Sequence, residues 1–447
     1  MKLSSIVLSI AAGLTALSGM AADYAPSSRL ASGRWVKVRV TEEGIQQISY
    51  DQLRQWGFSD PERVHVYGYG ATALTLDRLT EGADDLPATP TVHTADGRLL
   101  FYGDADVRFD LRNLDGLETL SGIDNTLWRH NIYDRGGYYF LSDAAGASEP
   151  VHVAAPEAAD GADVYTGHYH VDATDEDLVS PIGGGNIFCE RTFTSSSPCR
   201  IPLRFRDAVL SELSDGPARR PVFAYYCYAA FGAEMAVDGI DCIDVAVDGS
   251  AAALVSTQRK EIDYYSMDTY LDLQGAIRFA NSSAMPDGES TVTLSRPDAA
   301  SSYNYYLDRH ALIYTRLNRL PADESQLVMH YPVAAAGSLI SISDAADGLQ
   351  LWDVTDPAAV RILDMRAADG RALASMPDSY SAASPGRMVL FDPQKQHLAP
   401  EFVQEVASQD LHALPVPDML IITTDDLEAE AQRLADAHAR IDGLDVA

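Results

Sequence analysis

Met419-Leu420-Ile421-Ile422-Thr423-Thr424-Asp425-Asp426 begins the stretch on which the reading of this chain turns. Its first four residues form a continuous apolar run, the pattern of a parallel strand covered on both faces. Thr424, Asp425 and Asp426 supply a cap and negative charge for a helix start. Leu427, Ala431, Leu434, His438 and Ile441 then recur at helical spacing, with Ala435 widening the stripe. Arg433 and Arg440 lie toward the negative end of the helix dipole, Gly443 is a stop, and Leu444-Asp445-Val446 begins another strand. A lone strand–helix–strand unit cannot bury both faces of its sheet. The expectation is therefore a polypeptide cut off near the start of an α/β domain; the alternative is that this last helix packs against the β segment before it.

That preceding material reads as mainly β, in several modules of antiparallel, sandwich-like sheets. Residues 23–150 form a β-rich module with one short helix. Trp35 to Val40 alternates as a half-buried strand, and Ile45 to Ile48 continues weakly after Gly44. Ser49 and Gln52 have capping-box spacing ahead of Leu53 and Trp56, with Gly57 and Pro61 as stops. Val64 to Tyr67, Leu99 to Tyr102 and Tyr138 to Leu141 read as further strands. A linker near Ala144 to Asp163 leads into residues 160–322, where Ile201–Phe205, Val222–Ala230, Cys242–Val247 and Ser290–Leu294 are short β-prone runs. Asp248-Gly249 marks a turn, and Tyr303 to Leu320 is a last strand or pair of strands. Residues 323–415 carry a third β segment with Leu327–Met329, Ser338–Ile342, Leu351–Thr355 and Met388–Phe391, and residues 416–447 open the α/β unit.

Composition narrows the class. The 447 residues include 65 acidic and 33 basic side chains, a net charge of −32, which argues against nucleic acid or an anionic membrane gripped by bulk charge. A hydrophobic fraction of 46% excludes a wholly disordered chain. Lys2, the apolar or small run Leu3 to Met20, and Gly19-Met20-Ala21-Ala22 read as a signal peptide over residues 1–22, so export is expected. Export permits disulfides among Cys189, Cys199, Cys227 and Cys242; neighbour pairing, Cys189–Cys199 and Cys227–Cys242, would brace two short loops, and the pairing stays open. Buried or bridged structural cysteine is preferred over a nucleophile, above all for Cys227 in its apolar run.

Four other groups invite a site and each has a plainer reading. His168, His170 and Asp172 share one strand face, where a metal would find ligands, but a solvated face is preferred for want of a fourth ligand. Asp104, Asp106 and Asp110, and Asp172, Asp175 and Asp177, are oxygen-rich, yet neither cluster has EF-hand spacing and solvated acidic loops are expected at this composition. His438 falls on the helix stripe and is read as a packing residue; His412 is read as part of the domain junction. Tyr303, Tyr305 and Tyr306 would stack on a sugar if exposed, or serve the core. No cofactor, metal or catalytic residue is assigned.

The order of several segments resembles a known family. Ser32-Gly33-Arg34-Trp35-Val36-Lys37-Val38, Glu43-Gly44-Ile45, Val66-Tyr67-Gly68-Tyr69-Gly70, Phe101-Tyr102-Gly103, Asn131-Ile132-Tyr133 and Gly137-Tyr138-Tyr139-Phe140-Leu141 resemble the N-terminal part of the gingipain-type cysteine peptidase family of type IX secretion sortases (PorU-like proteins). So do Leu351-Trp352-Asp353-Val354-Thr355-Asp356-Pro357, Gln409-Asp410-Leu411-His412, Pro417 to Thr423 and Ala431 to His438, while Gly183 to Glu190 departs from the pattern. The resemblance implies β-rich N-terminal domains before a caspase-like α/β peptidase domain with a Cys/His dyad. It also implies secreted cargo with C-terminal sorting domains and anionic lipopolysaccharide as partners, at the periplasm or outer-membrane surface. The dyad would follow later strands, so none of its residues is carried onto this chain. A different class, an exported β-sandwich that binds a surface partner or glycan without catalysis, is the alternative.

Overall fold

The computed structural model describes residues 25–71, 85–105, 108–109, 128–129, 136–144, 146, 148–157, 161–181, 188–209, 222–232, 243–252, 254–263, 268–279, 288–297, 304–331, 333–381 and 384–447. The chain divides into two compact units, one of Val36–Ala73 with Pro87–Gln404, the other of Met1–Trp35, Leu74–Leu86 and Glu405–Ala447. The signal-peptide residues, Cys242, Tyr303, Asp106, Asp110 and Asn131 to Tyr133 lie outside the described residues. Among those described, no helix is long and apolar enough to cross a membrane.

The larger unit is a stack of sheets. Its outer sheet runs Glu401–Val406, Trp35–Val40, Gly137–Ser142, His65–Gly70, Ala88–Thr89, and its inner sheet runs Gly44–Ser49, Arg98–Gly103, Thr91–His93. Val36, Val38, Val40, Val66 and Leu141 meet Ile48, Leu99 and Phe101 between them, with Leu53 of the helix Tyr50–Gln55 closing one side. The helix starts where the capping box predicts: Ser49 Oγ accepts from the Gln52 N–H at 3.2 Å, and the Gln52 side chain accepts from the Ser49 N–H at 3.0 Å. Gly57, at φ +92°, turns the chain out of it.

The inner sheet is covered on its other face as well. Ile45, Leu100 and Tyr102 pack on Trp352, Val389 and Phe391 of a long sheet and on Val354 and Val360 of the connection between two of its strands. Burial on both faces explains why Arg98–Gly103 shows no apolar–polar alternation. Arg98 is buried with it and donates to the Pro393 carbonyl at 2.6 Å and to the Gln47 side chain at 3.1 Å.

The long sheet runs Val151–Val153, Arg361–Leu363, Gln350–Asp353, Gly386–Phe391, Gln326–Tyr331, Gly167–Asp175, Asn304–Leu317, Val222–Gly232, Asp268–Arg278, Leu254–Asp263, with Arg191–Phe193 against Asn304–Leu317. Each half carries a four-stranded partner sheet. Cys199, Ile201, Leu203, Phe205, Val292 and Leu294 face Phe223, Tyr225, Leu273, Tyr305 and Tyr314 in one sandwich. Ile340, Ile342, Ala372 and Ala374 face Leu327, Met329, Leu351 and Leu390 in the other. One sheet thus joins strands from both sides of residue 322. The stretch read as a linker contributes Val151–Val153, and Val164–Tyr165 follows directly after it; each pairs in parallel with a strand of the third segment.

Other details sharpen the sequence reading. Asn304–Leu317 is one strand of fourteen residues, and Asp248 and Gly249, both at positive φ, make the tight turn between Asp244–Val247 and Ser250–Ala251. Trp352 is the largest side chain between the inner and long sheets, edge-on to Phe391 at 5.3 Å. Trp352→Ala is expected to cost about 3–5 kcal/mol, read as a lower urea midpoint; a loss below about 1 kcal/mol would show that this layer contact contributes little.

Candidate functional site

Two strands of the long sheet meet at one pair and then part. Gly167–Asp175 touches Gln326–Tyr331 only at Tyr169 opposite His330. Beyond that pair a cleft of about 910 Å³ opens, lined by His170 to Glu176 on one wall and Gln326, Leu327, Val328 and His330 on the other. Thr41, Glu42 and Glu43 close one end, and Arg206, Arg316, Glu324 and Arg387 reach in from neighbouring strands and turns.

The arginines in the cleft are engaged by carboxylates. Arg316 Nη2 donates to both oxygens of Glu324, 2.9 Å each, and Arg206 donates to Glu324 at 2.7 Å and to Asp323 at 2.8 and 3.1 Å. These bonds raise the Arg206 pKa and lower that of Asp323. Buried Asp207 accepts from Arg319 and lies 4.0 Å from Arg316. Arg387 sits 3.2 Å from Glu43 and donates to the Tyr102 hydroxyl at 3.1 Å, while that hydroxyl donates to Glu43 at 2.5 Å.

Three histidines beside the cleft are kept neutral. Burial, then the Arg316 charge, brings His170 down to about 3; burial, then Arg387, brings His330 down to about 4. His168 is fully buried, which with His170 holds it well below the usual histidine value, and its Nδ1 lies 3.0 Å from Asn318 Oδ1. The shared face of His168, His170 and Asp172 is real, but it is exposed at Asp172, half-buried at His170 and fully buried at His168. Among the described residues no group of three or more His, Cys, Asp or Glu is gathered to hold a metal ion. Asp104 is buried, with its backbone N–H donating to the Tyr139 hydroxyl at 2.9 Å, and Asp175 is buried 3.9 Å from Arg309.

The cysteines do not form the neighbour pair. Cys189, Cys199 and Cys227 are free, buried thiols. Burial raises all three, Cys199 to about 11, so none is a ready thiolate at neutral pH. Tyr305 and Tyr306 are buried and serve the core rather than a sugar-stacking surface.

The smaller unit holds the terminal ribbon. Its first segment is tied by Asp410, which accepts from the Ser27 hydroxyl at 2.6 Å and the Ser28 N–H at 2.8 Å, and by the Gln409 N–H on the Leu30 carbonyl. Arg34 adds an ion pair to Glu405 at 2.7 Å, and His412 lies near enough to Asp410 to help lower its carboxyl pKa. Met419 and Ile421 then pair in parallel with Asp445 to Ala447 around the helix, a strand–helix–strand unit. The helical stretch is a 3-10 turn, Asp425–Leu427, continued by Glu428–Ile441. Thr424 does not cap it: its hydroxyl goes to the Asp426 carboxylate. The helix buries none of its residues, and His438, read as a packing residue, is partly exposed and lies 2.7 Å from Asp442. Leu420, Leu434, Ile422 (88% exposed) and Ile441 (72% exposed) leave apolar surface of the ribbon open.

These features define a multi-sheet β protein whose β unit is accompanied by a parallel strand–helix–strand ribbon. The fold is similar to the crystal structure of dimeric latent PorU from Porphyromonas gingivalis, with a TM-score of 0.75 at 21% identity over 98% of this chain. This chain spans 38% of that longer chain. No protein-family model matches it, and no curated protein matches it.

Sequence reasoning missed His330, Arg316, Arg206, Glu324 and Arg387, because their convergence depends on strand pairing across the long sheet. The arginines interspersed in Tyr303 to Leu320 were the one visible signal. The histidines predict an acid response. Unfolded histidines take a proton near the ordinary value of about 6.5, while the folded ones stay neutral, so the unfolded chain binds more protons. Stability is full above pH 7 and falls as pH drops from about 6.5 toward 4, by about 1.4 kcal/mol per pH unit for each fully buried neutral histidine. Urea midpoints at pH 7.5 and 5 check this, and His168→Gln should flatten the decline; equal midpoints would contradict it.

Proposed function

We propose that this chain is the N-terminal, non-catalytic part of an exported gingipain-type cysteine peptidase, a type IX secretion sortase. The carrying observation is the likeness of 98% of this chain to part of a much longer PorU chain. The segments from Ser32 to Val38 and from Leu351 to Pro357, together with the apolar ribbon, support the same reading. In it, residues 1–22 direct export, the β sheets act as a scaffold, and residues 416–447 open the peptidase domain.

The enzyme would cleave the C-terminal sorting domain of secreted cargo and attach the product to anionic lipopolysaccharide at the periplasm or outer-membrane surface. That chemistry needs a thiolate and an imidazole that takes its proton and returns it to the leaving amine. The acyl-enzyme so formed yields to water or to an attacking amine, which lets one site hydrolyse or transfer. The buried, high-pKa thiols described here are unsuited to that role.

The test pairs this chain with a longer polypeptide continuing through the peptidase domain, both incubated with a secreted protein bearing a C-terminal sorting domain. The longer form should cleave it and lose activity with iodoacetamide, while residues 1–447 remain inert. Thiol-sensitive cleavage by the short form, or none by the long form, would overturn the reading.

A further inference from the structure

The strand Gly167–Asp175 is half used. One edge pairs with Asn304–Leu317 along its full length. Continuing the other edge from Tyr169 and His330 would set Val171 opposite Val328 and Ala173 opposite Gln326, yet neither pair forms. Gln326–Tyr331 is held away by its own neighbours: it pairs with Gly386–Phe391 throughout, and the Gln326 side chain accepts from the Ile45 N–H at 2.6 Å. Val328 packs on the inner-sheet core. The opening is thus built by the layers on either side, and among the described residues Val171 and Ala173 have no strand partner on the cleft edge.

An unpaired interior edge is costly unless something satisfies its backbone groups. Water does so in an open cleft, and an added strand does so with specificity. The charge on the walls selects the kind of strand. Arg206, Arg316 and Arg387 are already bound to Asp323, Glu324 and Glu43. Glu42 and Asp172, exposed at the cleft, carry no ion pair among the described residues. The histidines facing it, His170 and His330, add no positive charge at neutral pH. Among the described residues the uncompensated charge on the walls is negative.

We infer that this cleft binds an extended basic peptide segment, which adds as a strand along Val171–Asp175 with its Lys or Arg side chains directed to Glu42 and Asp172. A stretch of five residues, about 16 Å at roughly 3.3 Å each, spans the open edge. Polar groups on both walls and the apolar surfaces of Val171 and Val328 suit alternating basic and aliphatic side chains. The inference stands apart from the sortase reading and holds or fails without it.

The test uses the whole chain and a fluorescent acetyl-Lys-Val-Lys-Val-Lys-Val amide, followed by anisotropy and by hydrogen exchange. Saturable binding should slow exchange at Val171 to Asp175. A Glu-for-Lys peptide, and a peptide with proline at the second and fourth positions, should each bind about ten-fold more weakly or worse. Glu42→Lys with Asp172→Lys should weaken the Lys peptide about ten-fold, with circular dichroism unchanged. Asp347→Lys with Asp436→Lys, equal in charge but distant in sequence and environment, should leave affinity unaltered. Equal binding of the proline peptide, an equal loss in both double variants, protection elsewhere, or no saturable binding would each overturn the inference.

Discussion

A β-strand has two edges to pair and two faces to cover, and the larger unit is organised by how far each strand meets that demand. The inner sheet Gly44–Ser49, Arg98–Gly103, Thr91–His93 is sheltered above by the outer sheet and below by the long one. Its central strand is apolar nearly throughout, and the buried guanidinium of Arg98 finds carbonyl and amide partners at the edge. The long sheet answers the same demand with a partner sheet over each half. Where its halves meet, at Tyr169 and His330, pairing stops and a polar cleft takes its place.

Buried charge follows an equally strict rule: it is tolerated only when bonded on several sides. Asp353 shows this inside the Leu351 to Pro357 segment. Its carboxylate accepts from the Thr355 hydroxyl at 2.6 Å, the Thr355 N–H at 3.1 Å, Arg361 Nε at 2.9 Å and the Tyr380 hydroxyl at 3.3 Å. The burial of Tyr380 and the Asp353 charge together raise its hydroxyl pKa, so it remains a donor. A segment that carries the resemblance to sortases thus has a folding role here: it fixes the turn after Gln350–Asp353 on which Trp352 and Val354 enter the inner-sheet core.

Local chemistry was legible in the sequence. The alternation of Trp35 to Val40, the capping box at Ser49, the turn at Asp248-Gly249 and the strand–helix–strand order after Met419 all depend on neighbours within a few positions. What escaped depends on remote pairing. Gln326 meets Ile45, Arg98 meets Pro393, and the cleft arginines come from turns and strands far apart in the chain. The solvated reading of the His168 face failed at His168 for the same reason, since its ring is buried against Asn318, which in turn accepts from the Tyr331 hydroxyl. The cysteine pairing stayed open in the sequence, and Cys189, Cys199 and Cys227 prove to be buried free thiols.

The terminal ribbon is the exception to coverage. Two parallel segments around one exposed helix leave Leu420, Ile422, Leu434 and Ile441 in water, an arrangement that forgoes apolar burial. The proposed function gives this surface its occupant: further strands and helices of the peptidase domain. Hydrogen exchange at Met419 to Ile422 and along Glu428–Ile441, compared between this chain and the longer polypeptide, tests that directly. Coverage predicts exchange slower by about a hundred-fold in the longer form, as expected when an open element joins a core; identical rates in the two would contradict it.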